Sequence, residues 1–433
     1  MITLSTDWLM RQWPSLVVDG VVAVPLSRWD EGDAFTLTAL GPAPSADQVI
    51  GVLTLSLAPA GEAPVIVTLL PALEGSDVPA WSVFAAPDGR KYAAVGRVQN
   101  REGPREMAVQ IVDVAATLSA RRTGLLESHA LKDTSVLILG LGTGGIHVAL
   151  ELAKAGVGRF LMMDGDRLNV GNVARHHAGV SNAGRRKVYA ARDLVLEKNP
   201  AAIVDAHAVA AGPDTEGLVA ALLGRCDLVI CATDGRPSKL FVNRMAVSAG
   251  KTAIYAGAFR RAYGGQVLRV RPRQSPCYQC FVMSMPEEET DREVVSPEDA
   301  ADIAYADRPV PIEPGLALDV APIALMAAKL VLQELLHGRE TTFAAMDRDF
   351  AAPWYFWINR PEPGTPYAIW PALSESADDM TILRWYGVLL DADPGCPVCG
   401  DFAAAVTAAH GLEPSLDKEL PDRPRMADLP PEG

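Results

Sequence analysis

Basic residues are in short supply. Against 53 Asp and Glu, the 433-residue chain has 39 Lys and Arg, a formal net charge of −14 at pH 7. Phosphate backbones are held by clustered cations, so a general nucleic-acid binder is excluded. A long uninterrupted apolar run is missing too. The most apolar stretch, residues 320–336, is short for a bilayer and contains Lys329, Gln333 and Glu334, which predicts a buried helix and no membrane crossing. The first thirteen residues have no basic flank leading into an apolar run. No signal peptide is expected, and the chain is placed in the cytoplasm. Cysteine is scarce as well, with six in all and none between residues 281 and 395.

What is present allows large cores. Hydrophobic residues make up 49% and charged residues 21%, and the length predicts two or three domains. Residues 1–120 carry short apolar runs at 18–25, 49–57 and 65–70, with turn signals such as Pro87-Asp88-Gly89 between them. They read as a strand-rich N-terminal domain without a catalytic motif. From about residue 131 the pattern alternates. Strands are expected at 135–139, 160–163, 202–206, 227–231 and 252–255, and helices at 145–155, 186–197 and 237–248. Alternation of this kind predicts an α/β fold with a doubly wound, mostly parallel Rossmann-like sheet. Residues 412–433, rich in Pro and acids, read as a loose tail.

Gly140-Leu141-Gly142-Thr143-Gly144-Gly145 matches G-x-G-x-x-G between a strand and a helix, the context that motif requires. Gly140, Gly142 and Gly145 let the backbone turn tightly and approach phosphate, and the helix N-terminus supplies N–H groups and a positive dipole end. Asp164 stands about twenty residues on, where an acid reaches a ribose. This much fits ATP and NAD equally.

Two further segments separate the nucleotides. One runs Asp164-Gly165-Asp166, then Asn172, Arg175 and Lys187. The other is Asp227-Leu228-Val229-Ile230-Cys231-Ala232-Thr233-Asp234. Hydride transfer needs no such cations near the phosphates. Adenylation does, because charge builds on the α-phosphate and the departing pyrophosphate. A carboxylate at a strand end, such as Asp234, can hold magnesium. Asp234 could otherwise cap the following helix, and Arg175 and Lys187 could be plain surface charges.

Cys277-Tyr278-Gln279-Cys280 and Cys396-Pro397-Val398-Cys399 form two C-x-x-C knuckles. Four thiolates complete a tetrahedron around zinc and leave no position for water, so the metal would be structural. In a cytosolic chain such pairs favour metal over disulfide.

With these motifs in order, residues from about 121 to 400 resemble the ThiF/MoeB/ubiquitin-activating superfamily, across roughly two-thirds of the chain. The resemblance implies an adenylation domain over 121–411 with a crossover loop at about 284–318. It assigns ribose binding to Asp164 in the Asp164–Asp166 turn. It gives triphosphate contacts to Asn172, Arg175 and Lys187, and magnesium to Asp234. It also implies a homodimer in which Arg121 or Arg122 reaches into the partner's nucleotide site. Many relatives carry a nucleophilic cysteine in the crossover loop, and this chain has none there. Pro311 stands near that cysteine's place, and three explanations stand: the enzyme stops at the acyl-adenylate; the cysteine has been replaced by engineering, for instance by Ala300, Ala301, Ala304 or Ala306; or Cys226 or Cys231 is exposed. The charged loop with Glu287, Glu288, Glu289, Asp291 and Glu293 could cover the bound tail. His176 and His177 read as local packing, and the aromatic cluster at 350–357 as core.

The expected activity is ATP-dependent adenylation of the C-terminal carboxylate of a ubiquitin-like protein, with ATP, magnesium and zinc as cofactors. The extra N-terminal domain tilts the reading toward a bacterial ubiquitin-like conjugation system with a conjugating-enzyme partner. The rivals are a sulfur-carrier adenylyltransferase of the molybdopterin or thiamin type, adenylation of a tRNA base or small peptide, an NAD-dependent oxidoreductase, and an inactive scaffold.

Overall fold

The structure, a computed structural model, describes residues 1–31, 34–39, 48–55, 65–72, 79–100, 103–122, 128–285, 315–348, 350–372 and 379–401. Most of the crossover loop, including Glu287–Glu293 and Ala300–Ala306, and the tail at 412–433 lie outside the described residues.

Two sheets organise the chain. The first is mixed and contains β1 (Ile2–Ser5), β2 (Val21–Glu31), β3 (Ala34–Ala39), β4 (Gln48–Leu55), β5 (Val65–Pro71), β6 (Val83–Ala85), β7 (Lys91–Asn100), β8 (Gly103–Met107) and β9 (Val109–Val112). They run in the order β6-β7-β5-β4-β2-β3-β1-β9, with β8 also paired to β7. Pro87-Asp88-Gly89 turns the chain between β6 and β7, as its composition predicts.

The apolar run at 18–25 is not one strand. Helix α1 (Thr6–Asp19) takes up Val18, and the strand starts at Val21. The reason is local. The Ser5 side chain caps the helix by accepting from the Trp8 N–H, and Leu9, Trp13 and Leu16 fall on one buried face. Gly20, at φ 69°, ends the helix in the left-handed region. Trp13 then packs on Phe84 and Tyr92 inside this sheet's core.

After α2 (Val114–Ala120) and α3 (Ser128–Leu131), the second sheet uses β10 (Ser135–Leu139), β11 (Arg159–Met163), β12 (Ile203–His207), β13 (Leu228–Cys231), β14 (Ala253–Ala258), β15 (Gly264–Val270), β16 (Trp354–Ile358) and β17 (Trp385–Val388). Their order is β12-β11-β10-β13-β14-β15-β16-β17. The first five are parallel and the last three antiparallel. Connecting helices are α4 (Thr143–Ala155), α5 (Lys187–Lys198), α6 (Glu216–Leu223), α7 (Arg236–Ser248), α8 (Tyr278–Ser284) and α9 (Ala317–Leu336).

Side chains of a strand alternate between faces. Val136 and Ile138 of β10 enter the core under α4, α5 and α9, while Leu137 and Leu139 enter the core under α6, α7 and α8. Both faces are covered, which is why β10 is apolar throughout. The strand order reverses beside β10, and ligands of such sheets bind outside the carboxyl ends of the strands at that point. The aromatic cluster is mainly core, with Tyr355 and Trp357 of β16 buried. No described helix is long and apolar enough to cross a membrane.

Candidate functional site

The glycine loop sits at the carboxyl end of β10. Gly140 has φ +88°, and a Cβ there would lie 2.8 Å from the Ala232 carbonyl at the end of β13. A Cβ on Gly145 would lie 1.9 Å from the Gly140 oxygen. Gly142, the N-cap of α4, faces open space with nothing within 4 Å of an added Cβ. The first and last of these glycines let the loop pack. The middle one leaves the backbone open to a ligand.

The peptide groups flanking Leu141 are held on both sides. Its N–H donates to Asp164 Oδ2 at 2.7 Å, and its carbonyl accepts from His176 Nε2 at 3.0 Å. Because His176 Nδ1 accepts the Ala178 N–H at 3.0 Å, the proton of the neutral ring resides on Nε2. Burial is the main cause that lowers the His176 pKa below its ordinary 6.5, and the Lys187 and His177 charges add to it. The second oxygen of Asp164 accepts the Asp166 N–H at 2.8 Å. Asp164 is therefore buried and engaged, a brace between β11 and the loop.

Lys187 opens α5, where its Nζ meets Asp166 Oδ2 at 2.7 Å. Arg186 donates to the Gly165 carbonyl at 2.6 Å and Arg167 to the Gly184 carbonyl at 2.8 Å. These bonds fold residues 164–187 back on themselves and bring Lys187 to the Asp164–Asp166 turn. Within that loop Asn169 and Asn172 cap each other reciprocally, and the Asn172 carbonyl accepts the Arg175 N–H at 3.0 Å.

Asp234 follows β13 and is exposed. The N-cap of α7 is Gly235, with no side-chain cap, so Asp234 does not serve as the helix cap. The structure thus places Gly140, Gly142, Gly145, Asp164, Asp166, Lys187 and Asp234 at the carboxyl end of one parallel sheet. Asn172 and Arg175 stand on the loop that joins β11 to α5. Arg122 is elsewhere. Its guanidinium donates to the Lys154 carbonyl at 2.5 Å, at the C-terminal end of α4. The 13-residue helix separates it from the loop by roughly 20 Å.

The four cysteine sulfurs lie within 4.8 Å of one another. Cys277–Cys396 is 3.6 Å, Cys277–Cys280 3.9 Å and Cys280–Cys399 3.3 Å. A tetrahedron with metal–sulfur bonds of about 2.3 Å has edges of about 3.8 Å, so the set fits zinc. The remaining cysteines are core. Cys231 is fully buried, and burial pushes the Cys226 thiol up to about 11. The explanation that one of them is exposed does not hold.

The hold of His176 on Leu141 leaves no signal in the sequence, where His176 reads only as local packing. Nor does the buried pair Arg269–Glu334, 3.1 Å apart, which ties β15 to α9. Opposite charges far apart in sequence leave no local signal.

A G-x-G-x-x-G loop on the carboxyl edge of a doubly wound sheet, with a cation and two acids around it, defines an α/β nucleotide-binding protein. Residues 115–353 match the ThiF family. The chain belongs to that family. It is 35% identical over 182 residues to the pig (Sus scrofa) adenylyltransferase and sulfurtransferase MOCS3, a match covering 42% of this chain and 39% of that one. It is 35% identical over 156 residues to the molybdopterin-synthase adenylyltransferase of Escherichia coli (strain K12), covering 35% and 60%. With the ubiquitin-like modifier-activating enzyme 5 of Caenorhabditis briggsae it shares 24% over 194 residues, covering 42% and 44%. The chain thus spans less than two-thirds of these relatives' lengths. Among solved structures, E. coli MccB with ATP matches at TM-score 0.42 and 19% identity, over 63% of this chain and 68% of that one.

Proposed function

We propose that the chain adenylates the C-terminal glycine carboxylate of a ubiquitin-like protein. A carboxylate oxygen attacks the α-phosphorus of ATP, the bond from that phosphorus to the bridging oxygen breaks, and pyrophosphate leaves with the electron pair. No proton has to move. The protein's work is to hold phosphates and to meet the charge that builds on them.

The observation that carries this reading is the end of the sheet itself. An open Gly142 backbone at a helix N-terminus, Lys187 on the next helix and an exposed Asp234 on the next strand share one edge. In the proposed site Asp164 meets the ribose, and Asn172, Arg175 and Lys187 meet the triphosphate. Asp166 keeps Lys187 in place until phosphate arrives. Asp234 would hold magnesium, which supplies charge to the leaving pyrophosphate when bound. Arg122 would act only across a homodimer, in the partner's site. The four cysteines would hold zinc as a brace.

Four cysteines cluster and the other two are buried, so we propose direct transfer of the acyl-adenylate to a partner protein, without a thioester on this chain. A second reading is a sulfur-carrier adenylyltransferase. It is favoured by the 35% identity to the molybdopterin-synthase adenylyltransferase.

ATP–pyrophosphate exchange tests the proposal. Exchange should require both a carrier ending in glycine and Asp234, with Asp234→Ala or Lys187→Ala lowering the rate about 100-fold or more. Tight magnesium–ATP binding with no exchange from any carrier would refute carboxyl adenylation. Exchange with a sulfur carrier alone would select the second reading.

A further inference from the structure

Helix α7 passes beside the four-cysteine cluster and carries Asn243, whose side chain is fully buried. Its Oδ1 accepts the N–H of Tyr278, the residue after Cys277, at 3.0 Å. That bond fixes the carboxamide. The nitrogen of the same amide, Nδ2, has no hydrogen-bond partner, and it faces the Cys277 sulfur. A second orphan lies close by. Tyr255 on β14 is buried, its ring stacks on Tyr278 at 4.9 Å, and its hydroxyl also lacks a partner. The sulfurs of Cys231 and Cys277 are the first two groups whose charge acts on that hydroxyl.

Two buried donors without acceptors, both on residues that touch Tyr278, need an explanation, since such atoms are normally paired. A thiol is a poor acceptor and satisfies neither. A metal-bound thiolate is a strong one. Zinc with four thiolates carries a net charge of −2, and N–H or O–H groups aimed at the sulfurs disperse it. Part of that work is already done by backbone, since the Asp393 N–H donates to Cys280 Sγ at 3.4 Å. Cys277, buried like Cys396, is the sulfur that Asn243 faces, and Tyr255 lies on the ring of Tyr278, the next residue.

We infer that Asn243 and Tyr255 are positioning residues for a metal on the four cysteines, Asn243 donating to the Cys277 thiolate and Tyr255 completing the shell around it. This rests on the zinc reading of the cluster. Its consequence is that metal loading engages α7, the helix that begins just after Asp234, so the brace and the nucleotide edge share one element.

The experiment uses the full chain, with zinc affinity measured by chelator competition and cobalt(II) replacing zinc for spectroscopy. Asn243→Asp keeps an oxygen for the Tyr278 N–H and exchanges the N–H donor for a carboxylate whose charge opposes the thiolates, and Tyr255→Phe removes only the hydroxyl. Asn243→Asp should weaken zinc binding 10- to 100-fold. Both variants should move the thiolate-to-cobalt charge-transfer band to lower energy, Tyr255→Phe by the smaller amount. The metal-free melting temperature of Tyr255→Phe should not fall, because a purely structural hydroxyl is not what was lost. Unchanged bands with zinc affinity within twofold of the parent would overturn the inference. If Asn243→Asp does not fold, the Tyr255→Phe band decides alone. A parent protein that takes up neither zinc nor cobalt would remove the zinc reading itself, a result separable from both.

Discussion

The glycine-loop edge and the four-cysteine cluster treat buried polar atoms in opposite ways. At the loop, both peptide groups around Leu141, the Asp164 carboxylate, the His176 ring and the Lys187 ammonium all have partners within the chain. At the cluster, the Asn243 amide nitrogen and the Tyr255 hydroxyl have none. A site already satisfied without its ligand can accept a nucleotide with little rearrangement, and only Gly142 and the exposed acid and cations need to be met. A cluster that leaves donors over is complete only when negative charge is brought onto its sulfurs. Both are preassembled in geometry, and they differ in that only the cluster leaves buried donors without a partner.

The largest effect should come from breaking the second of these. Cys396→Ser, or prolonged chelation, is expected to lower the melting temperature by about 15 °C, the shift of roughly 5 kcal/mol in a domain of this size. A scan with and without chelator reads it, and a parent protein indifferent to chelator would contradict it. Next comes the packed part of the loop. Gly145→Ala drives a methyl group into the Gly140 carbonyl, which should cost about 2 kcal/mol in stability and weaken ATP binding. Gly142→Ala sharpens the comparison, because its Cβ meets nothing. Its melting temperature should stay near the parent value while ATP affinity falls about tenfold. Equal loss of stability in the two variants would show that Gly142 is packed, contrary to the structure.

The smallest effect concerns pH. His176 is held neutral, and its folded pKa is below its ordinary 6.5. Between those two values the unfolded chain binds the proton more readily than the folded one, so stability rises with pH through that window. His176 therefore makes its full contribution above pH 6.5 and loses it progressively as pH falls below. The protonated ring can no longer accept the Ala178 N–H, and the loop should loosen with it. ATP affinity should be flat from pH 7 to 8 and decline below 6.5, and His176→Gln should flatten that decline. A parent protein with constant affinity down to pH 5.5 would show that His176 does not govern the loop.

Much of the second sheet was legible. Residues 135–139 were read as a strand to the residue, and α4, α5 and α7 were placed within one or two positions, because a sheet covered on both faces writes continuous apolar runs between helical periods. The first sheet was read less well. Helix α1 was missed although Leu9, Trp13 and Leu16 keep helical spacing, since Pro14 and the aromatic residues around it lower helix propensity. Asp234 shows the limit from the other side. Its position after a strand suits a magnesium ligand and leaves the cap open as the alternative, and only the backbone placed the cap one residue later at Gly235.

Spacing along the chain was enough to determine the nucleotide loop, the parallel sheet behind it and the pairing of two cysteine knuckles, because each depends on residues within about twenty positions of one another or on a repeated motif. The rest was decided by tertiary contact. That Cys277 and Cys396 come within 3.6 Å across 119 residues, that Asp164 and His176 grip the two sides of Leu141, and that the Asn243 amide nitrogen and the Tyr255 hydroxyl are buried without a partner are facts of packing. A side chain's type states what it can donate or accept. Only the folded core, by excluding water, determines which partner it has and which atom is left waiting for one.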